Sequence, residues 1–549
     1  MSGPTEPEPA GEPDDGADGG FIGHALKVSS WTLFSRLTGL GRDAALAAVF
    51  GLGAVADAFF IGFLVPNLSR RLFGEGAFAA AFIPEYADLV KNDRQLARRL
   101  ATLCLVALTV VLGGLTLIGE AVLLGMQTWG VWSPESSLAI RLTMVMLPYM
   151  PLVCLVALLG GILQVHGKFG PPAAAPVILN LVMIGAALAV MPWAPASAAM
   201  AVAAAVVGAG VLQLAWLGVT TLGVERPGRA LAGTGPALRR LATAWLPMMA
   251  GLAVFQINAL LDHLIAFGLA PRTGGPEQLH LWGRIVDYPV QAGAVAALQW
   301  AQRLYQFPLG VFGIALATAI FPALASAAAG SQPEDERAYA ATLRRGVRLA
   351  VFIGLPAGVG LWLVGYPLVR LIYARGAFSL DDVDRVATIL SGYAVGVWAY
   401  SATHVVTRAF YARRDTITPL LVGVVIVILN LGLNLVLIWP LGAAGLAWST
   451  AITASLQTVI LLLLISRKAA HVLTRPVVIG CLRSVALTAV MAAAVASLAW
   501  ALNPVAAGPW VSAAMLFGLV ITGMMVYGAG AWWTGAPEWH WLLKRPAER

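Results

Sequence analysis

Charge is scarce in this chain. Lys, Arg, Asp and Glu together make up 11% of 549 residues, where a soluble globular protein is nearer a quarter charged. That shortage excludes a large soluble core, because soluble helices need a polar face. Cysteine is also rare: Cys104, Cys154 and Cys481 lie in apolar runs without CxxC or His spacing, which excludes a disulfide framework and a zinc site. No Walker A, GxSxG or HExxH arrangement occurs, so neither ATP-driven nor hydrolytic chemistry, with its catalytic residues, has support. Bases are missing from the first twenty residues, which hold six acids among Pro and Gly; residues 1–21 are expected to form a disordered acidic tail. Without a basic n-region, that tail is no signal peptide.

What remains is apolar. Hydrophobic residues make up 59% of the chain and the mean hydropathy is +0.80. Most of the length divides into stretches of roughly 20 residues or more, enough to cross about 30 Å of hydrocarbon. About fourteen spans are read, near 26–50, 54–88, 101–125, 138–165, 174–192, 199–222, 243–269, 289–326, 347–374, 386–411, 417–439, 443–466, 480–502 and 509–534. The fold class is therefore an all-α polytopic membrane protein. Arg and Lys concentrate in every second loop, for example Lys91, Arg94, Arg98 and Arg99, then Arg413 and Arg414, while the opposite loops hold almost none, except 270–288, which is polar on both signs with Arg272, Arg284, Glu277 and Asp287. By the positive-inside rule both termini are cytoplasmic, and these loop bases mark orientation rather than a nucleic-acid surface.

A repeat accompanies the even span count. Val177-Ile178-Leu179-Asn180-Leu181 recurs as Val427-Ile428-Leu429-Asn430-Leu431, six spans later, and Phe82-Ile83-Pro84 is echoed by Ile320-Phe321-Pro322. A duplication of six spans plus two extra spans follows, a transporter pattern with its site between the halves.

Arginines within the spans carry the chemistry. Span 1 holds Ser35, Arg36, Arg42 and Asp43; Arg36 and Asp43, seven apart, share a helical face, and Gly39 and Gly41 are expected to loosen the helix. Span 2 runs from Asp57 through Pro66, expected to kink it, to Arg70, Arg71 and Glu75; span 8 places Arg303 ahead of Pro308. A structural reading lets these arginines snorkel or pair with Asp43, Asp57 and Glu75, and Arg71 suits snorkelling best. Each mid-membrane arginine costs about 2.5–3.5 kcal/mol on translocon scales, and acids in these spans are fewer. The surplus asks for an anionic guest, and guanidinium geometry suits phosphate. Asn180, Asn430 and Asn434 are read as bonds between helices. Asp262, beside His263 in span 7, takes a coupling cation or proton, or pairs with an arginine.

At these residues the chain resembles the MurJ/MviN family, bacterial lipid II flippases of the MOP exporter superfamily. The resemblance rests on Ser35-Arg36, Gly39, Arg42-Asp43, Asp57-Ala58-Phe59-Phe60, Pro66-Asn67-Leu68, Arg70-Arg71-Leu72-Phe73, Glu75-Gly76-Ala77-Phe78, Arg303-Leu304, Phe307-Pro308 and Phe410-Tyr411-Ala412-Arg413-Arg414-Asp415. It implies an N-lobe over 22–225 and a C-lobe over 226–470. Residues 471–536 would then be two extra helices grooved for a polyprenyl tail, and 537–549 a cytoplasmic C-terminus. It further implies substrate binding by Arg36, Arg42, Arg70 and Arg303, and gating or cavity tuning by Ser35, Asp43, Asp57, Glu75 and Asp262. Lipid II would pass from the inner to the outer leaflet of the bacterial cytoplasmic membrane, among membrane lipids, without ATP or a bound cofactor, coupled to membrane potential or ions. The chain departs from the family at Leu64, where lysine is common, and in an enlarged 270–297 region. The alternative is a MOP exporter of another polyprenyl-linked glycan or a small molecule; a polytopic glycosyltransferase would need longer loops, and a scaffold no intramembrane arginines.

Overall fold

The computed structural model describes residues 15–75, 77–228, 233–276, 278–281, 283–469, 472–502 and 508–543. Residues 1–14, most of the acidic tail, lie outside the described residues, and Asp15 to Gly20 belong to the first helix. The first half of the chain forms α1 (Asp15–Phe50), α2 (Ala54–Ser69), α3 (Ala77–Asn92), α4 (Arg94–Trp129), α5 (Pro134–Met146), α6 (Tyr149–Val165), α7 (Gly170–Ala189) and α8 (Pro195–Leu222). The second half begins with α9 (Gly235–Gly268), α10 (Ala294–Pro308), α11 (Ala315–Ala329), α12 (Pro333–Leu363) and α13 (Gly365–Tyr373). It continues through α14 (Leu380–Val395), α15 (Val397–Ala412), α16 (Ile417–Leu441) and α17 (Ala443–Lys468). Then follow α18 (Arg475–Leu502), α19 (Pro509–Trp533) and the short α20 (Pro537–Leu543).

Among the described residues, ten helical stretches are long and apolar enough to cross a membrane. The other expected positions are filled by α1, α2 with α3, α9, and α14 with α15. Of these, α2, α3, α14 and α15 are each 16 residues long and cross only as pairs, while α1 and α9 carry Arg36, Arg42, Asp43, Asp262 and His263. The chain is a multi-pass all-α membrane protein. One element went unforeseen: a hairpin of β1 (Gln278–Leu281) and β2 (Arg284–Asp287), with Gln278 opposite Asp287, in the enlarged 270–297 region.

Local chemistry explains the breaks. Pro66 has no N–H to offer the carbonyl one turn earlier, and the chain re-registers through a π-helical turn at Arg70–Glu75 before α3. Pro308 precedes a second π-turn, Leu309–Ile314, between α10 and α11. The two turns sit at corresponding places of the six-span repeat. The loosening expected at Gly39 and Gly41 does not occur: α1 is unbroken through both. They face α7, where a Cβ would stand 3.6 Å from Asn180 Nδ2 and 3.7 Å from Ile184 Cδ1. Packing along α7 outweighs a propensity cost of about 1 kcal/mol per glycine.

One apolar cluster runs from Leu46 and Phe59 through Leu163 to Trp300, Tyr373 and Leu446, so the first half shares a core with α10, α13 and α14. A second, around Leu324, Leu343, Val405 and Leu461, lies within the second half. A third, with Phe352, Leu487, Leu519 and Tyr527, fastens α18 and α19 to α12.

An arginine seam as candidate functional site

Adjacent positions on α1 put Arg42 beside Asp43, and the second turn from the end of α10 brings Arg303 to the same carboxylate. Asp43 is 4% exposed. Its Oδ1 accepts from Arg42 Nη2 at 2.6 Å and Nε at 3.0 Å, and its Oδ2 accepts from Arg303 Nε at 2.7 Å. Two guanidiniums on one carboxylate leave a net positive charge between the halves. Arg42 also donates from Nη1 to Asn180 Oδ1 at 3.2 Å, while Asn180 Nδ2 donates to the Ser35 carbonyl and to Thr38 Oγ1, each at 3.1 Å. Ser35 therefore enters the site through its backbone.

Helices α1 and α10 run antiparallel across this seam. Seven residues before Asp43, Arg36 is exposed, and its guanidinium lies against Gly310, seven residues beyond Arg303. In the other direction the seam closes on backbone. Asp57, 2% exposed, accepts the N–H of Gly293 at 2.7 Å and of Ala296 at 2.9 Å, so a carboxylate from α2 caps the N-terminus of α10. Gly293 has φ 89°, and a Cβ there would stand 2.7 Å from the Leu52 carbonyl carbon, so glycine is required on both counts. Nearby, Ala377 N–H donates to the Ala48 carbonyl at 2.8 Å and Leu52 N–H to Asp382 Oδ2 at 3.3 Å. Asp382 is also the acidic partner of the Ser379 capping box that starts α14.

The remaining candidates are dispersed. Arg70 donates from Nη2 to Asn67 Oδ1 at 2.9 Å, within its own helical turn. Arg71, expected to snorkel, instead donates to Gln256 Oε1 of α9 at 3.1 Å and ties the first π-turn to the second half. The Glu75 side chain lies outside the described residues. Asp262, 2% exposed, accepts from Asn434 Nδ2 at 2.6 Å rather than from an arginine. Asn434 Nδ2 also donates to Asn430 Oδ1 at 3.0 Å, its carbonyl oxygen accepts from the Ser449 hydroxyl, and Asn430 Nδ2 reaches Thr453 Oγ1 at 3.2 Å. A polar network thus joins α9, α16 and α17. Among the described residues, no group of three or more His, Cys, Asp or Glu side chains is placed to hold a metal ion.

Sequence reasoning passed over an aromatic layer behind Arg303. Tyr305 stacks on Tyr393 with ring centroids 4.8 Å apart and meets Tyr400 at 5.3 Å, and Gln302 Nε2 donates to the Tyr393 hydroxyl at 2.9 Å. No spacing signals it, since the three tyrosines come from helices that meet only in the fold.

The end carrying the basic loops is also tied. Arg240 of α9 pairs with Glu85 of α3 at 2.7 Å. Glu225, beyond α8, accepts from Arg94 at 3.0 Å and from Arg98, and faces His166 Nε2 at 3.2 Å. Burial pushes the Glu225 carboxyl up, but hydrogen bonds and charge from Arg98 and Arg94 outweigh it and hold it below its ordinary value.

A family model described as lipid II flippase MurJ matches residues 46–521. A probable lipid II flippase MurJ of Vibrio cholerae is 32% identical over 528 residues, covering 91% of this chain and 93% of that protein. The lipid II flippase MurJ of Burkholderia cenocepacia is 31% identical over 454 residues, 80% of this chain and 82% of that one. Among solved structures, a lipid II flippase MurJ in an inward closed conformation superposes with a TM-score of 0.71 at 20% identity, covering 92% of this chain and 98% of that one. An inward-facing multidrug resistance MATE transporter of the MOP superfamily gives 0.63 at 14% identity, over 82% and 98%. These structural likenesses concern the fold.

Proposed function

The chain belongs to the lipid II flippase MurJ family, and on that premise we propose that it moves lipid II across the bacterial cytoplasmic membrane by alternating access between its two halves. The observation that carries this reading is the convergence of Arg42 and Arg303 on the single buried carboxylate of Asp43. One acid cannot neutralise two guanidiniums, and a diphosphate supplies the missing negative charge with acceptor geometry that arginine matches. Arg36 extends the cationic path along the seam to Gly310, and Arg70, held on Asn67 within its own helical turn, adds a further guanidinium to the first half. Asp43 holds Arg42 and Arg303 until the headgroup arrives, and Asp57 seals the far end by capping α10.

Alternating access then exchanges partners. Opening the far end requires Asp57 to release the Gly293 and Ala296 N–H groups, which a rigid-body rocking of the halves accomplishes. The basic loops set both termini on the cytoplasmic side, so loading occurs there and the sealed end faces outward. The hairpin of α18 and α19 holds the polyprenyl tail in membrane lipid while the headgroup crosses. Coupling to the membrane potential or to an ion runs through Asp262, whose carboxylate accepts from the Asn434 amide.

The test is complementation of a strain depleted of its own lipid II flippase. Wild type is expected to restore growth, and Arg36→Ala, Arg42→Ala and Arg303→Ala to fail at equal expression. A well-expressed wild type that fails would remove lipid II as substrate. Rescue by all three variants would remove the arginine site.

A further inference from the structure

Gly310 is the second residue of the π-turn between α10 and α11, and it meets a charge from the opposite half. A Cβ placed on Gly310 would lie 2.5 Å from Arg36 Nη1, 2.6 Å from Nη2 and 3.0 Å from Cζ. The missing side chain is the seat of the guanidinium. The place follows from the antiparallel register: Asp43 meets Arg303, and two helical turns along each helix Arg36 meets Gly310. The π-turn also carries Gly313, where a Cβ would stand 2.6 Å from Ser401 Oγ of α15. The turn is thus pressed between an exposed cationic side chain on one side and a packed helix on the other.

We infer that Gly310 is a positioning residue for anion recognition, leaving room for Arg36 to lie across the seam in line with Arg42 and Arg303. This rests on the proposed anion role of Arg36. The three atoms nearest an alanine Cβ at 310 all belong to the far end of a long flexible side chain, so the close contacts are relieved by moving the guanidinium. Alanine also raises helical propensity at that position. Gly310→Ala therefore displaces one guanidinium without removing it, unlike Arg36→Ala. At Gly313 the obstacle includes the Ser401 Cβ at 3.0 Å, so Gly313→Ala disturbs α15 packing whatever stands at position 36.

The experiment measures binding of lipid II to the purified full chain in nanodiscs, with thermal stability recorded alongside. Gly310→Ala is expected to keep wild-type stability and to bind about tenfold more weakly, the scale of one lost charge-assisted hydrogen bond. In an Arg36→Ala background, Gly310→Ala is expected to cost nothing further, while Gly313→Ala costs the same in either background. Arg36→Lys, with its slimmer head, is expected to recover part of the affinity lost in Gly310→Ala. Equal losses from Gly310→Ala with and without Arg36 would overturn the inference and leave the anion role of Arg36 standing. Wild-type affinity in Arg36→Ala itself would overturn both.

Discussion

Arg303 donates from Nε to Asp43 Oδ2 at 2.7 Å and thereby joins α10 to α1 across the two halves of the chain. Arg42, the chain neighbour of Asp43, takes the other carboxylate oxygen. Asp43→Asn keeps an acceptor but removes the charge that both guanidiniums share. Lipid II binding is expected to tighten, because the freed guanidiniums face the diphosphate without competition. Flipping is expected to slow about tenfold, because the seam's hydrogen bond loses its ionic part, about 1.4 kcal/mol, that helps it re-form after release. Binding and transport assays on one preparation check both; unchanged values in both would remove Asp43 from the cycle.

In the proposed cycle the seal at the far end depends on the Asp57 carboxylate, which accepts the N–H groups of Gly293 and Ala296. Asp57→Ala leaves the N–H groups of Gly293 and Ala296 without their cap, a loss of about 1–2 kcal/mol. The population should move toward opening at that end. Spin labels at Gly53→Cys and Arg375→Cys, on opposite sides of the seal, are expected to show a longer-distance component in Asp57→Ala and little of it in wild type. Identical distance distributions would mean that the cap does not hold the seal.

How much of this was legible beforehand depended on the range of the interaction. Membrane-length apolar runs and alternate loop charges are local signals, and every expected span has a helix in the fold. Arg36, Arg42, Asp43 and Arg303 stood out because intramembrane charge is anomalous without any partner in view. The partners themselves were hidden. Nothing near Asp262 announces Asn434, and nothing near Arg71 announces Gln256, since each pair meets only when distant helices pack. Gly39 and Gly41 misled for a related reason: isolated glycines weaken a helix, and only the packing of α1 against α7 shows why this one persists. The hairpin at 278–287 lacked the length and alternation that make strands visible.

Acid should loosen the end that carries the basic loops. A carboxyl held below its ordinary value contributes stability that is present above the unfolded value, 4.5 for Glu225, and is lost as pH falls through the folded one. Arg94 and Arg98 are about half exposed, which screens the gain to about 1 kcal/mol. Glu225→Gln is therefore expected to lower the melting temperature at pH 7 and to match wild type once the pH is well below 4.5. A gap that persists in acid would assign the effect to packing.

The short C-terminal helix is an ionic latch. Glu538, fully buried on α20, accepts from Arg348 of α12 at 2.6 Å and from Arg483 of α18 at 2.7 Å, and Trp541 stacks over Arg345 and Arg348. Glu538→Ala strands two largely buried guanidiniums, at a cost of about 2 kcal/mol after allowance for their partial exposure. Protease cleavage between α19 and α20, followed by gel mobility, should accelerate in the variant; an unchanged rate would show that α20 docks without the latch.

Transport itself gives the most direct test of the central claim, that paired arginines on a shared carboxylate carry the diphosphate of lipid II between leaflets. Proteoliposomes loaded with fluorescent lipid II report leaflet exchange as the fraction quenched by a membrane-impermeant reductant. Wild type is expected to exchange the label from both leaflets, and Arg303→Ala, reconstituted at equal density, to leave the inner pool protected. Equal quenching in the two would contradict the account.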